Sequence, residues 1–353
     1  MEEATAETTG QLSEPKDVRF NFTGVGSEFF RIWIVNLVLT ILTLGIYSAW
    51  AKVRTNRYFY GSTELDGDAF EYHAEPIQIL KGRLIAVAAL VVYAIAQTFF
   101  PLVSIFLFFV LIGFLPLIIV RSLRFRAVMS SWRGIRFGFQ ASPWEAAKAY
   151  IFWPIFGVLT LGLGMPYAWF KQNHFAINHH LFGRSGATST TNAGDFYGIF
   201  LTIIGVSLVL FIVLMIITVP VALVGGTEEG EAGFGIASVI LLLGYFLFYV
   251  IIYAVFQALR YAVVYGNISI DDTTVHNDVN AVAWTKIVVL NSILMLVTLG
   301  LYYPWARVRL THYMLTATWV KSPDLTAFSA RHGEDENSLG EEIGEAFDLG
   351  IGV

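Results

Sequence analysis

The chain has 353 residues, of which 56% are apolar and 14% charged, and its mean hydropathy of +0.63 lies far from that of soluble domains. Its net charge of −5 is spread over tails and loops without a basic face, which leaves no ground for a nucleic-acid partner. With no cysteine, disulfides, thiolate metal sites and cysteine nucleophiles are excluded, and the composition is that of a polytopic membrane protein.

Residues 1–17 are acidic and polar, with no basic stretch leading into an apolar core, so they read as a disordered tail rather than a secretory signal. Spanning a bilayer takes ~20 mainly apolar residues in a helix, and seven runs reach that length. A first module, 18–83, offers a strand at Val18–Phe22, a helix over 29–49 and a hairpin from Thr63 to Tyr72 turning at Asp66–Gly67. A helix pair fills 84–120 around Pro101. The second module, 121–195, repeats the plan with a strand at Ile135–Phe139 and a helix over 145–169. A second helix pair occupies 196–259, around the acidic loop Gly225–Glu231. The third module, 260–321, has a strand at Asn267–Ile270 and a helix over 281–304. The acidic tail, 322–353, places Leu339, Ile343 and Phe347 on one face of a short helix, suited to solvent, to the chain's own cations or to a protein partner. The expected fold is an all-α polytopic membrane protein with seven hydrophobic segments, small juxtamembrane β-hairpins or sheets and three internal repeats.

The repeats align without a gap when Gly45, Gly164 and Gly300 are set as zero. At −22 stand Thr23, Ser142 and Asp278, all good N-caps, and Ser142-Pro143-Trp144-Glu145 is a capping box with proline at the first helical position. At +5 stand Trp50, Trp169 and Trp305, and at +7 Lys52, Lys171 and Arg307. Each glycine reads as a hinge that ends a helix through a left-handed cap. The indoles and cations beyond it, with Arg54 and Arg309, read as a collar for lipid headgroups. Modules one and three also share Asn at −9 (Asn36, Asn291), Thr at −2 (Thr43, Thr298) and Arg at +9, where module two has Ile155, Gly162 and Asn173.

Two topologies fit. If all seven runs cross and the C-terminus is cytoplasmic, modules one and three run inward and module two outward, which explains the missing arginine at +9 by the positive-inside rule. Its defect is that the acidic loop after residue 226 then faces the cytoplasm. If the modules are re-entrant, only four runs cross and every Lys and Arg lies inside, at the cost of charge close to hydrocarbon.

The string Thr43-Leu44-Gly45-Ile46-Tyr47-Ser48-Ala49-Trp50-Ala51-Lys52-Val53-Arg54, its echo from Thr298 to Arg309, the Leu65-Asp66-Gly67 and Phe70-Glu71-Tyr72 hairpin and the closing Ile343–Asp348 resemble the YjgN-like family of bacterial inner-membrane proteins. The resemblance implies a multi-pass protein of the bacterial inner membrane with no assigned biochemical role and no catalytic residues to carry over.

Among candidates for chemistry, His174, His179 and His180, with His73 and His276, lack a completing carboxylate pattern, so no metal and no cofactor is expected. Asn36 and Asn291 lie mid-helix among apolar neighbours; they serve interhelical hydrogen bonds between modules one and three or line a pathway there. Thr43 and Thr298 bond back to helix carbonyls. The helix pairs carry no charged residue or histidine in their apolar cores, which removes the usual carboxylate of a pump. The function expected is lipid engagement or scaffolding, with anionic headgroups as partners. A transporter or channel between modules one and three is the alternative, and an enzyme ranks last for want of a nucleophile, base or metal.

Overall fold

The computed structural model describes residues 15–225 and 231–333. Its strands are β1 (Lys16–Phe22), β2 (Thr63–Leu65), β3 (Asp68–Tyr72), β4 (Ser130–Trp132), β5 (Ile135–Phe139), β6 (His180–Phe182), β7 (Ser185–Ser189), β8 (Ile268–Ile270), β9 (Thr273–Asn277) and β10 (Thr318–Ser322). All pair antiparallel with their sequence neighbours, and β10 returns to β1, so the ten close into one barrel. Tight turns join β2 to β3, β4 to β5, β6 to β7 and β8 to β9. Those at Asp66–Gly67 and Arg133–Gly134 have positive φ at both positions, the primed geometry that matches the twist of paired strands.

At the opposite rim, each remaining strand pair is joined through two antiparallel helices. These are α1 (Gly26–Leu42) with α2 (Ser48–Gly61), α3 (Pro76–Phe99) with α4 (Pro101–Val128), α8 (Ala193–Gly225) with α9 (Glu231–Tyr265), and α10 (Ala281–Val297) with α11 (Tyr303–Thr316). The middle hairpin has a composite first arm: α5 (Pro143–Ala147), a π-helical turn at Lys148–Phe152 and α6 (Trp153–Leu159), followed by α7 (Met165–Asn178). Pro154 supplies no backbone N–H, a loss that a widened π turn accommodates. Neighbouring hairpins touch in chain order and α11 returns to α1, so the helices form a ring above the barrel.

The all-α expectation is therefore corrected: the β segments are one closed barrel, not separate small sheets. Seven hydrophobic crossings are corrected as well. Among the described residues four helices, Pro76–Phe99, Pro101–Val128, Ala193–Pro220 and Ser238–Tyr265, are long and apolar enough to cross a membrane. The runs at 29–49, 145–169 and 281–304 each contain a chain reversal, and their first arms end at Leu42, Leu159 and Val297. A 17-residue arm such as α1 or α10 rises about 26 Å, short of a ~30 Å hydrocarbon layer even if all of it were immersed. In place of three repeats separated by plain helix pairs stand five units of strand, helical hairpin and strand.

The barrel has no open lumen at its turn-bearing end. Leu65, Trp132, Ile135, Phe182 and Val320 are buried there, with Val18 and Phe20 on alternate positions of β1 and Phe70 and Phe137 packed around them. A further helix, α12 (Leu325–Gly333), is capped by Asp324, whose Oδ1 accepts from the amides of Thr326 and Ala327. It drives Leu325 and Phe328 into this cluster, with Phe328 stacked on Phe182 at 5.4 Å. Arg133 holds it in place, donating from Nη1 to Leu325 O while pairing with Asp66 and Asp68 at 2.8 and 2.5 Å. At the helical rim the strands end in other clusters: Phe22 packs with Phe29 and Phe59, and Phe139 with Phe175. The expected amphipathic face around Leu339, Ile343 and Phe347, most of the N-tail and most of the Gly225–Glu231 loop lie outside the described residues.

Candidate functional site

Three of the five hairpins turn at a Thr-Leu-Gly sequence, and the three turns share one backbone. Leu44, Leu161 and Leu299 have φ of 50°, 54° and 49°, and Gly45, Gly162 and Gly300 have φ of 93°, 93° and 89°. Each glycine amide reaches back five residues, to Thr40, Gly157 and Met295 carbonyls. The preceding threonine stitches the two arms together. Thr43, Thr160 and Thr298 hydroxyls donate to the carbonyls of Leu39, Phe156 and Leu294 and accept from the amides of Tyr47, Gly164 and Tyr302. The left-handed leucines point away from the protein, 95%, 95% and 92% exposed.

Gly164 is thus not the middle hinge; its φ is −84° and it precedes α7. Thr160-Leu161-Gly162-Leu163-Gly164 contains two Leu-Gly pairs, and aligning on Trp169 selects the wrong one. In the structural register, Lys171 takes the place of Arg54 and Arg309, Tyr167 that of Trp50 and Trp305, and Thr160 that of Thr43 and Thr298. Thr160 and Gly162 were legible only through the threonine two residues before each hinge. Two of the three expected caps also fail. Ser142 forms its capping box with Glu145. Thr23, however, donates to Ser62 O across a strand end, and Asp278 faces Arg19, while Asn280 caps α10.

The collar residues divide by environment. Trp50 stacks on Tyr47 and Trp305 on Tyr302, with centroids at 6.1 and 6.0 Å. Trp169 packs inward on Phe256 at 5.1 Å. Arg54 donates to Tyr47 OH, and Lys171 lies over the rings of Tyr167 and Phe170. Arg307 lies 4.3 Å over Phe59, and Arg309 is exposed. Asn36 and Asn291 do not join modules one and three. Each donates from Nδ2 across its own hairpin, to Ala51 O and Ala306 O, and each Oδ1 is buried without a partner. The seam between α1 and α11 is filled by Phe30 against Trp305 at 4.9 Å and Trp33 against Tyr303 at 6.0 Å. Gly26 permits that closeness: a Cβ there would come 2.5 Å from the indole of Trp305.

Beside the seam lies an open cleft of about 410 Å³, walled by α1 and α2 and reached by Arg83 of α3 and Arg307 of α11. Its polar lining includes Lys52, Ser48, Thr55 and Asn56, and among the described residues no acidic one. Arg83 Nη1 donates to Ser48 Oγ, which ties the hairpin tip to the flank of α3. Burial, and then the guanidiniums of Arg126 and Arg83, hold the Lys52 ammonium below the ordinary lysine value. The pairing of cations differs between the two ends of the molecule. On the barrel, Arg19, Arg133 and Arg331 pair with Asp278, Asp66 and Asp68, and Asp272. Among the described residues, Lys52, Arg83, Arg126 and Arg307 have no carboxylate within 4.0 Å.

The histidines are dispersed into local hydrogen bonds: His73 with Ser131 Oγ, His174 with Thr191 O, His179 with Phe175 O, His180 with Ala176 O and His276 with Thr274. Among the described residues no three His, Asp or Glu side chains come together as a metal site would require.

Four membrane-length apolar helices rising from one rim of a filled barrel, beside three shorter hairpins with apolar tips, define a polytopic membrane protein of mixed α and β construction. The chain belongs to the family described as bacterial protein of unknown function (DUF898), which matches residues 17–346. Inner membrane protein YjgN of Salmonella typhimurium strain LT2 is 36% identical over 122 residues, covering 34% of this chain and 31% of that protein. Inner membrane protein YjgN of Escherichia coli O157:H7 is 34% identical over 148 residues, 41% of this chain and 36% of that protein, and the strain K12 protein gives the same figures. The matched stretches span about a third of these curated relatives, and they bear out the YjgN-like resemblance of the sequence. No solved structure matches the chain.

Proposed function

We propose that this protein engages lipid in the bacterial inner membrane, with its barrel and C-terminus in the cytoplasm, four helices crossing the bilayer and three short hairpins seated only in the cytoplasmic leaflet. The observation that carries this reading is the set of three outward leucines at the Thr-Leu-Gly turns. Moving a leucine side chain out of water is worth about 1.5–3 kcal/mol, so tips bearing Leu44, Leu161 and Leu299 favour hydrocarbon over solvent. The orientation rests on charge: all 22 Lys and Arg fall outside 84–120 and 196–259, hence on the barrel side of the four long helices. In this arrangement Trp50, Lys52, Arg54, Trp305, Arg307 and Arg309 lie at headgroup level on two adjacent hairpins, and Lys171 on the third. The inner-membrane names of the relatives agree with it. No observation favours a pathway between α1 and α11, where aromatic rings fill the seam.

The absence of native cysteine makes the test direct. Single variants Leu44→Cys, Leu161→Cys and Leu299→Cys, labelled with an environment-sensitive fluorophore in vesicles, are expected to be quenched by lipids brominated on their acyl chains and shielded from aqueous iodide. Iodide quenching of all three labels, without quenching by brominated lipid, overturns the reading.

A further inference from the structure

We infer that the cleft between α1 and α2 is a specific site for the phosphate of an anionic membrane phospholipid, held by Lys52, Arg83 and Arg307. The inference rests on the leaflet-seated hairpins proposed above and adds the ligand they hold.

Three observations meet at this cleft. The first is charge without compensation: three cations from three helices line it, and among the described residues none has a carboxylate partner and no lining residue is acidic. Like charges gathered in this way repel one another, and the Lys52 ammonium is held below its ordinary value first by burial and then by the guanidiniums of Arg126, outside the cleft, and Arg83, within it. A phosphate relieves the repulsion, because its oxygens accept charge-assisted hydrogen bonds from arginine and lysine. Arg19, Arg133 and Arg331, at the barrel, are differently placed, each facing aspartate.

The second is position. The contact between Arg83 and Ser48 sets the hairpin tip level with the second turn of α3, beyond which Leu84 to Phe99 continue for a further ~24 Å of apolar helix. The cleft therefore opens at the polar boundary of the bilayer, where phosphates reside. The third is the exposed apolar surface carried by the helices and hairpin tip that form the cleft. Leu37 of α1 belongs to the cleft wall and is exposed, as are Leu84 and Ile85 of α3 and Leu44 at the tip. That surface suits acyl chains and gives a water-borne phosphate nothing, which is why the lipid is the source chosen. Thr55 and Asn56 supply uncharged donors beside the cations.

The test uses the full chain in nanodiscs of phosphatidylcholine containing a few per cent of spin-labelled phosphatidylglycerol, with the immobilised fraction as readout. Lys52→Gln, Arg83→Gln and Arg307→Gln are each expected to weaken retention of the probe about tenfold, the scale of one lost charge-assisted bond. Lys148→Gln and Lys286→Gln, which remove the same charge from the first arms of other hairpins, should leave it unchanged. Arg83→Lys keeps the charge and should retain most of the binding, which separates loss of the site from loss of the fold. Equal loss in all five glutamine variants reduces the effect to general surface attraction and overturns the proposal, as does no loss in the cleft variants. Displacement of the probe by millimolar inorganic phosphate, or equal immobilisation of labelled phosphatidylcholine, overturns the lipid assignment. Each of these outcomes is independent of the tip-quenching result, so the cleft can fail while the seated hairpins stand.

Discussion

Leu44, Leu161 and Leu299 adopt a conformation that L-residues avoid, at a cost of roughly 1–2 kcal/mol each. Transfer of a leucine side chain to hydrocarbon returns about 1.5–3 kcal/mol, so the turn is sustainable in lipid and marginal in water. The following glycine carries a purely conformational demand, since a Cβ at Gly45 meets nothing within 4 Å. Gly45→Ala is therefore expected to destabilise by about 1–2 kcal/mol through backbone strain alone, with Gly45→Asn milder because asparagine tolerates the left-handed region. Gly164→Ala should also destabilise, but by collision, because its Cβ would lie 2.8 Å from Thr160 Oγ1. Thermal unfolding in detergent checks all three, and an unaffected Gly45→Ala contradicts the turn geometry. Gly45 and Gly300 were legible from Leu-Gly followed by Tyr and Trp. Gly162 was not, since a second Leu-Gly pair two residues later competes for the same alignment.

At the scale of elements, periodicity named β1, β2, β3, β5 and β8, half of the ten strands, and the first arms as helices, yet misjudged where those helices stop. Thr43, Thr160 and Thr298 close each arm with a side-chain bond to its last turn, whereas apolar residues run on past the reversal, so counting hydrophobicity fuses two helices into one span. The barrel plug was invisible for a related reason. α12 is nine residues long and shows only an Asp324 cap and two apolar side chains. The amides of Ala327 and Thr326 hold the Asp324 carboxyl below its ordinary value, as a cap should. What keeps the helix is Arg133, some 190 residues away in sequence. Arg133→Met removes its bonds to Asp66, Asp68 and Leu325 O and is expected to cost about 1–3 kcal/mol, discounted for the partly exposed carboxylates. Hydrogen exchange should quicken over 325–333 with α8 and α9 unchanged; uniform exchange across the chain would show that Arg133 does not hold the plug.

For the whole molecule, closure of the barrel decides topology. Because every helical hairpin joins neighbouring strands at one rim, each must return to the side it left. A seven-crossing chain would put β1 and β10 on opposite faces of the membrane, and these two are hydrogen-bonded partners through Val18 and Val320. The four-crossing arrangement proposed above is compatible with that pairing, and it would also gather all the cations on one side. A cysteine at exposed Lys321 is expected to react with a membrane-impermeant maleimide only after cells are permeabilised, while one at Thr227, between α8 and α9, reacts in intact cells. The reverse pattern inverts the orientation, and equal reactivity of both in intact cells excludes four crossings.

By itself the amino-acid order determined the membrane class, the family, two of the three Thr-Leu-Gly hinges and part of the local strand and helix pattern, because these depend on composition and on neighbours a few residues apart. Only the tertiary structure decided that the strands close into a barrel, that three apolar runs double back, and that Lys52, Arg83 and Arg307 share one cleft. Those outcomes rest on backbone pairing and side-chain contacts between residues far apart along the chain, and hydrophobic periodicity carries no record of which distant partner a strand or a cation will meet.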